Sequence, residues 1–156
     1  MAKSFILMSL AVVLTLAACA PLTTPPPIAT SGPSPEASQG ISITYHRSGG
    51  IAGTDDTWII SADGTVSHQG STMGAPAQLT AAQMAELTTA IRAANFMSLE
   101  DSYVPENTCC DRYLYEITVT VNGQSKTVQT IDASPTAPAE LTQLVDTLNQ
   151  LVTSAK

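Results

Sequence analysis

From Ile41 onward the chain alternates apolar and polar side chains. Ile41, Ile43 and Tyr45 are separated by Ser42, Thr44 and His46, a period of two that predicts a half-buried strand. Thr57–Ser61 predicts a second strand and Thr65–Gln69 a third. Between these two, Ala62-Asp63-Gly64 supplies turn chemistry, with a glycine able to take positive φ, so they read as a hairpin. The period then lengthens. Thr80 is placed to cap a helix, Gln83 three residues on completes a capping box, and Leu79 with Met84 forms a hydrophobic staple. The helix buries a stripe of Met84, Leu87, Ile91 and Ala94, and Phe96, Met97 and Leu99 are expected to carry the core onward.

Tyr113, Tyr115, Ile117, Val119 and Val121 share one face of a long strand. Asn122-Gly123 turns it, and Gln124–Ile131 returns with Val128 opposite Ile117. After Pro135 and Pro138, the residues Leu141, Leu144, Val145, Leu148, Leu151 and Val152 fall at helical spacing. The resulting order, strand, hairpin, helix, hairpin, helix, predicts an α+β domain: an antiparallel sheet of about four to five strands, including two β-hairpins, with two helices packed on one face. Residues 41–156 are enough to bury a core without covalent staples.

The chain ahead of Ile41 has a different pattern. MAKSFILMSLAVVLTLAACA joins one cation, Lys3, to an apolar run from Phe5 to Ala18 and small residues ahead of a cysteine, the layout of a secretory signal peptide over residues 1–18. The run is shorter than the ~20 residues that a permanent membrane span needs. Leu16-Ala17-Ala18-Cys19 resembles the bacterial lipobox. That resemblance implies cleavage before Cys19 and acylation of its thiol and new amino terminus with chains such as palmitate, and two or more chains give durable anchoring. Ala20 after the cysteine does not carry an inner-membrane retention signal, so the expected location is extracytoplasmic, on the cell membrane or an outer membrane. Residues 19–40 are rich in Pro, Ser and Thr, with almost no charge or large apolar groups, and read as a tether that buries too little to fold.

Charge and chemistry narrow the function. Six Lys and Arg stand against 13 Asp and Glu, and the cations of the mature chain are scattered singly, which excludes a nucleic-acid groove. Gly49, Gly50 and Gly53 do not form a dinucleotide fingerprint, because G-x-G-x-x-G ending at Gly53 requires glycine where Ser48 stands. The residues that follow, Thr54-Asp55-Asp56, would repel phosphate. His46 falls on the polar face of its strand and His68 near a hairpin end, and both read as ordinary surface histidines. No H-E-x-x-H or G-x-S-x-G occurs, so no catalytic residue, metal site or cofactor is assigned. Asp55, Asp56, Asp63, Glu100 and Asp101 read as solvated loop charges. Cys109 and Cys110 are adjacent in a chain expected to be exported, where two states are open: a strained vicinal disulfide, or two thiols.

Three stretches together resemble the emfourin-type domain: Y-H-R-S-G-G-I-A-G at the end of the first strand, L-T-A-A-Q-M-A-E-L in the first helix, and Y-x-Y-E-I-T-V leading through a hairpin into D-A-S-P-T-A-P-A-E-L. The resemblance covers nearly all of residues 41–156. It implies a small bacterial protein-binding domain of the kind that inhibits thermolysin-like zinc metallopeptidases, with no catalysis of its own. The contact is expected at Arg47, Ser48, Gly49, Gly50, Ile51, Ala52 and Gly53, where glycines leave the backbone open to close approach, with Asp55 or Asp56 near the target's zinc. The alternative is an envelope lipoprotein that binds a small ligand or scaffold partner without inhibiting anything.

Overall fold

Alternation does most of the work in the first half of the domain. A computed structural model of the chain describes residues 40–70, 75–108 and 110–154. The signal peptide, Cys19, the tether and Cys109 lie outside the described residues. Strand β1 (Ile41–Gly49) pairs antiparallel with β2 (Thr54–Ile60), which pairs with β3 (Thr65–Gln69) and through it with the short β4 (Ala77–Gln78). On its other side β1 pairs antiparallel with β6 (Tyr113–Val121), which pairs with β7 (Gln124–Ile131). The two-residue β5 (Ser102–Tyr103) runs parallel to β7 and closes that edge. The sheet is therefore mixed, seven strands in the order β4-β3-β2-β1-β6-β7-β5.

The α+β class and the two helices agree with the sequence pattern, and so does the register of the second hairpin, Ile117 opposite Val128. The extra strands are the two-residue edges β4 and β5, too short to show a period. The second strand also begins earlier than its pattern suggested. Thr54-Asp55-Asp56 belongs to β2, because the Gly50–Gly53 turn makes β1 and β2 a hairpin in which Arg47 faces Asp56 and Ser48 faces Asp55.

Helix α1 (Ala81–Ala93) starts on the expected capping box. The Thr80 hydroxyl accepts from the Gln83 amide, and the Gln83 side chain accepts from the Thr80 amide. Helix α2 (Ala139–Ser154) buries Leu141, Leu144, Val145, Leu148, Leu151 and Val152. Both helices contribute to one core with the sheet residues Ile43, Tyr45, Trp58, Ile60, Tyr115, Ile117, Val119 and Val128. Each such side chain contributes about 1.5–3 kcal/mol when fully removed from water. Leu79 is buried and Met84 packs partly against the core, as a staple requires. Met97 departs from expectation. The short 3₁₀ turn Phe96–Ser98 sends Phe96 inward, 1% exposed, and leaves Met97 41% exposed, since neighbouring residues on so tight a turn cannot share a face.

Candidate functional site

The functional end of the sheet is built by the alternation that builds its core. In β1 the residues facing the helices are Ile43, Tyr45 and then Arg47. In β2 they are Asp56, Trp58 and Ile60, and in β3 they are Val66 and His68. Charged and aromatic groups are thus brought together at the end of the helix-covered face, under the Gly50–Gly53 turn. The Arg47 guanidinium lies between two aromatic faces, 5.0 Å from the Trp58 ring centre and 5.3 Å from that of Tyr113. Its Nη1 donates to Asn149 Oδ1 of α2 at 3.3 Å and its Nη2 to Asp56 Oδ2 at 3.4 Å, while its buried Nε has no partner among the described residues. Asp56 also accepts from His68 Nε2 at 3.1 Å, and the His68 ring stacks on Trp58 at 4.8 Å.

Two expectations are corrected here. Asp56 is not a solvated loop charge: it is 9% exposed and holds two cationic or protonatable partners, so it is not free to reach a target's zinc. His68 is not an idle surface residue but part of the same packed cluster. Asp55, one residue away, points to the opposite face, is exposed, and accepts from His46 Nε2 at 2.8 Å. Asp101 is exposed and pairs with Lys126. The cluster was missed because single charged residues at the end of a strand were read by type. The usable signal was parity: Arg47 continues the buried set of Tyr45, and Asp56 that of Trp58.

Two tyrosines of this region are held neutral. Burial first, then the neighbouring Tyr115, pushes the Tyr45 hydroxyl well above its ordinary value; it donates to Asn149 Oδ1 at 2.9 Å. Burial and then the hydrogen bond to Asp132 Oδ1, at 2.6 Å, do the same for Tyr115.

Above the cluster, the β1–β2 turn carries the expected contact residues. Gly49, Gly50 and Gly53 all have positive φ, at 94°, 68° and 61°. A Cβ on Gly49 would lie 2.6 Å from the Arg112 carbonyl oxygen, and one on Gly50 would lie 2.7 Å from the Tyr113 ring. Gly50 donates its amide to Arg112 O at 3.2 Å and Gly53 donates to Gly50 O at 3.0 Å, so the turn is fastened both within itself and to the segment that enters β6. The outcome is a held turn that presents Ile51 at 91% exposure, with Ala52 exposed beside it. Gly49 to Gly53 form the tip, whereas Arg47 reaches beneath it and Ser48 lies within the strand. Cys110 is exposed, in the segment leading to β6. No group of three or more metal-ligating side chains occurs among the described residues.

The fold therefore defines a class, a single α+β domain whose mixed sheet is covered by two helices and whose β1–β2 turn holds an apolar tip in solvent. The family model for emfourin matches residues 64–149, from the turn before β3 into the last helix. The chain belongs to the emfourin family. Arg47–Gly53, the stretch quoted first for the resemblance, lies ahead of the matched residues. No curated protein matches the chain.

Proposed function

We propose that this chain is a membrane-anchored, extracytoplasmic inhibitor of thermolysin-like zinc metallopeptidases. In this reading the signal peptide is removed, Cys19 carries the lipid, residues 20–40 are the tether, and the domain binds its target without catalysing a reaction. Family membership supports the inhibitor type. The single observation that carries the contact is Ile51. It is an aliphatic side chain at 91% exposure on a turn where a Cβ at Gly49 or Gly50 would clash and where the Gly50 and Gly53 amides are already bonded. A held apolar residue at a hairpin tip suits the hydrophobic cleft of an endopeptidase, and its rigidity lowers the entropy lost on docking. Gly49 and Gly50 let the turn pack against Arg112 and Tyr113, and Ile51 with Ala52 is the surface left for the cleft; in this reading Arg47, Ser48 and Gly53 flank that surface.

Residues 35–156, which carry every described residue, are titrated against a thermolysin-like zinc peptidase while peptide hydrolysis is followed. Stoichiometric loss of activity is expected, and Ile51→Asp is expected to weaken it at least tenfold while leaving folding intact, because surface changes cost within about 0.5 kcal/mol. Gly50→Arg is a poorer handle, since its Cβ would strike Tyr113. Full peptidase activity in large excess of folded domain would refute the inhibitor reading and leave the ligand- or scaffold-binding alternative. Inhibition untouched by Ile51→Asp would remove the turn as the contact.

A further inference from the structure

The glycine turn is seated on the protein through one of its two limbs. On the β1 side Gly50 donates its amide to Arg112 O at 3.2 Å, and a Cβ placed on Gly50 would lie 2.7 Å from Cε1 and Cζ of Tyr113 and 3.0 Å from its Oη. On the β2 side a Cβ on Gly53 would meet nothing within 4 Å. The orientation of Ile51, between the two, is therefore referred to the Tyr113 ring. Tyr113 is itself held from two directions. Its amide donates to Asp132 Oδ2 at 3.0 Å, and its carbonyl accepts from the Asp132 amide at 3.1 Å. Against its ring lies the Arg47 guanidinium, 5.3 Å from the ring centre and 5.0 Å from that of Trp58. The guanidinium is anchored in turn by Asn149 of α2 and Asp56 of β2.

We propose that Tyr113 is a positioning residue for the inhibitory contact: its ring seats Gly50 and so holds Ile51 in the docking orientation, and Arg47 acts through that ring rather than by touching the target. The consequence for a peptidase rests on the inhibitor reading above, whereas the seat is a property of the free protein. Two features of the ring are used at once. One edge meets the bare Cα of Gly50, the only residue type that leaves room there, and the π system meets a guanidinium that is 24% exposed, where a cation–aromatic attraction is partly freed from competing water. The planar guanidinium suits this place better than an ammonium, since it can lie against two rings while its nitrogens keep their hydrogen bonds. Without the seat the turn is free to take other orientations. A partner that binds only the seated form then meets a smaller concentration of it, so association slows by that fraction. Loss of a contact residue acts mainly on the dissociation rate instead. Tyr113 and Ile51 are thus expected to control different rate constants of one complex.

The test compares the full chain, held in detergent, with Tyr113→Leu and Tyr113→Phe in two measurements. The first is amide relaxation of the free protein. The order parameter of the Ile51 amide is expected to be about 0.85 in the parent and in Tyr113→Phe, which keeps the ring, and to fall below about 0.6 in Tyr113→Leu, while amides in the middle of β1 and β6 stay ordered and show that the domain is folded. The second follows peptide hydrolysis by a thermolysin-like zinc peptidase over time, which yields both rate constants. Tyr113→Leu should slow association about tenfold with dissociation unchanged, and Tyr113→Phe should restore the parent value. Arg47→Lys, which keeps the charge and loses the planar face, should slow association in the same direction. Ile51→Asp should instead speed dissociation. An Ile51 amide as ordered in Tyr113→Leu as in the parent would overturn the proposal. Faster dissociation in Tyr113→Leu with unchanged association would do so too, making Tyr113 a contact residue, and so would a Phe variant that behaves like Leu. If the parent leaves the peptidase untouched, the inhibitor reading fails by itself, and the relaxation comparison alone decides whether Tyr113 holds the turn.

Discussion

Replacing Asp56 by alanine is expected to destabilise the domain by about 2–4 kcal/mol, while the same change at Asp55 costs no more than about 0.5 kcal/mol. The two residues are neighbours in sequence with the same side chain, so the contrast isolates their placement. Asp56 is 12% exposed at its side chain and receives His68 at 3.1 Å and Arg47 at 3.4 Å. Removing one partner of a buried pair costs about 3–5 kcal/mol. The lower range applies here because the Arg47 contact is long and its side chain is 24% exposed. The guanidinium also keeps Asn149 and two aromatic faces when the carboxylate is gone. Asp55 is 80% exposed with a single partner, His46, and exposed pairs contribute little. Urea unfolding of residues 35–156 measures both. With a slope of about 1–3 kcal/mol/M, Asp56→Ala should lower the midpoint by roughly 1–2 M and Asp55→Ala should barely move it. Equal effects, or an Asp56 variant as stable as the parent, would refute the placement of these carboxylates on opposite faces of β2.

A parallel contrast exists at the 3₁₀ turn. Phe96→Ala should cost about 3–5 kcal/mol by opening a cavity, and Met97→Ala, at a 41% exposed position, should stay within about 1 kcal/mol, again by urea unfolding. Stability should fall above pH 10. The hydroxyls of Tyr45 and Tyr115 are raised above their ordinary 10.0 in the folded state, so the unfolded chain releases their protons first and rising pH favours it; below that pH their contribution is fully present. Tyrosinate absorbance and circular dichroism recorded together should show these two groups ionising only as the fold is lost. Ionisation of all four tyrosines with the fold intact would contradict their burial.

What the sequence by itself determined was everything set by local period and turn chemistry. The 2-residue alternation of Ile41–Tyr45 and Tyr113–Val121, the Thr80–Gln83 capping box, the Asn122-Gly123 hairpin and the apolar stripe of α2 each depend on a few residues close along the chain, and each is present in the structure. The family was legible for the same reason, since its matched residues 64–149 contain most of those patterns. Tertiary structure decided the rest. The strand order placing β1 between β2 and β6, and the two-residue edges β4 and β5, depend on pairing between distant segments. The packing of buried Asp56 and half-buried His68 with Arg47, Trp58 and Asn149 joins residues from three strands and a helix, and so does not follow from residue type. Local signals are written in neighbouring side chains and can be read there. A site assembled across the sheet costs chain entropy to bring together, and its chemistry exists only once the core has supplied that cost.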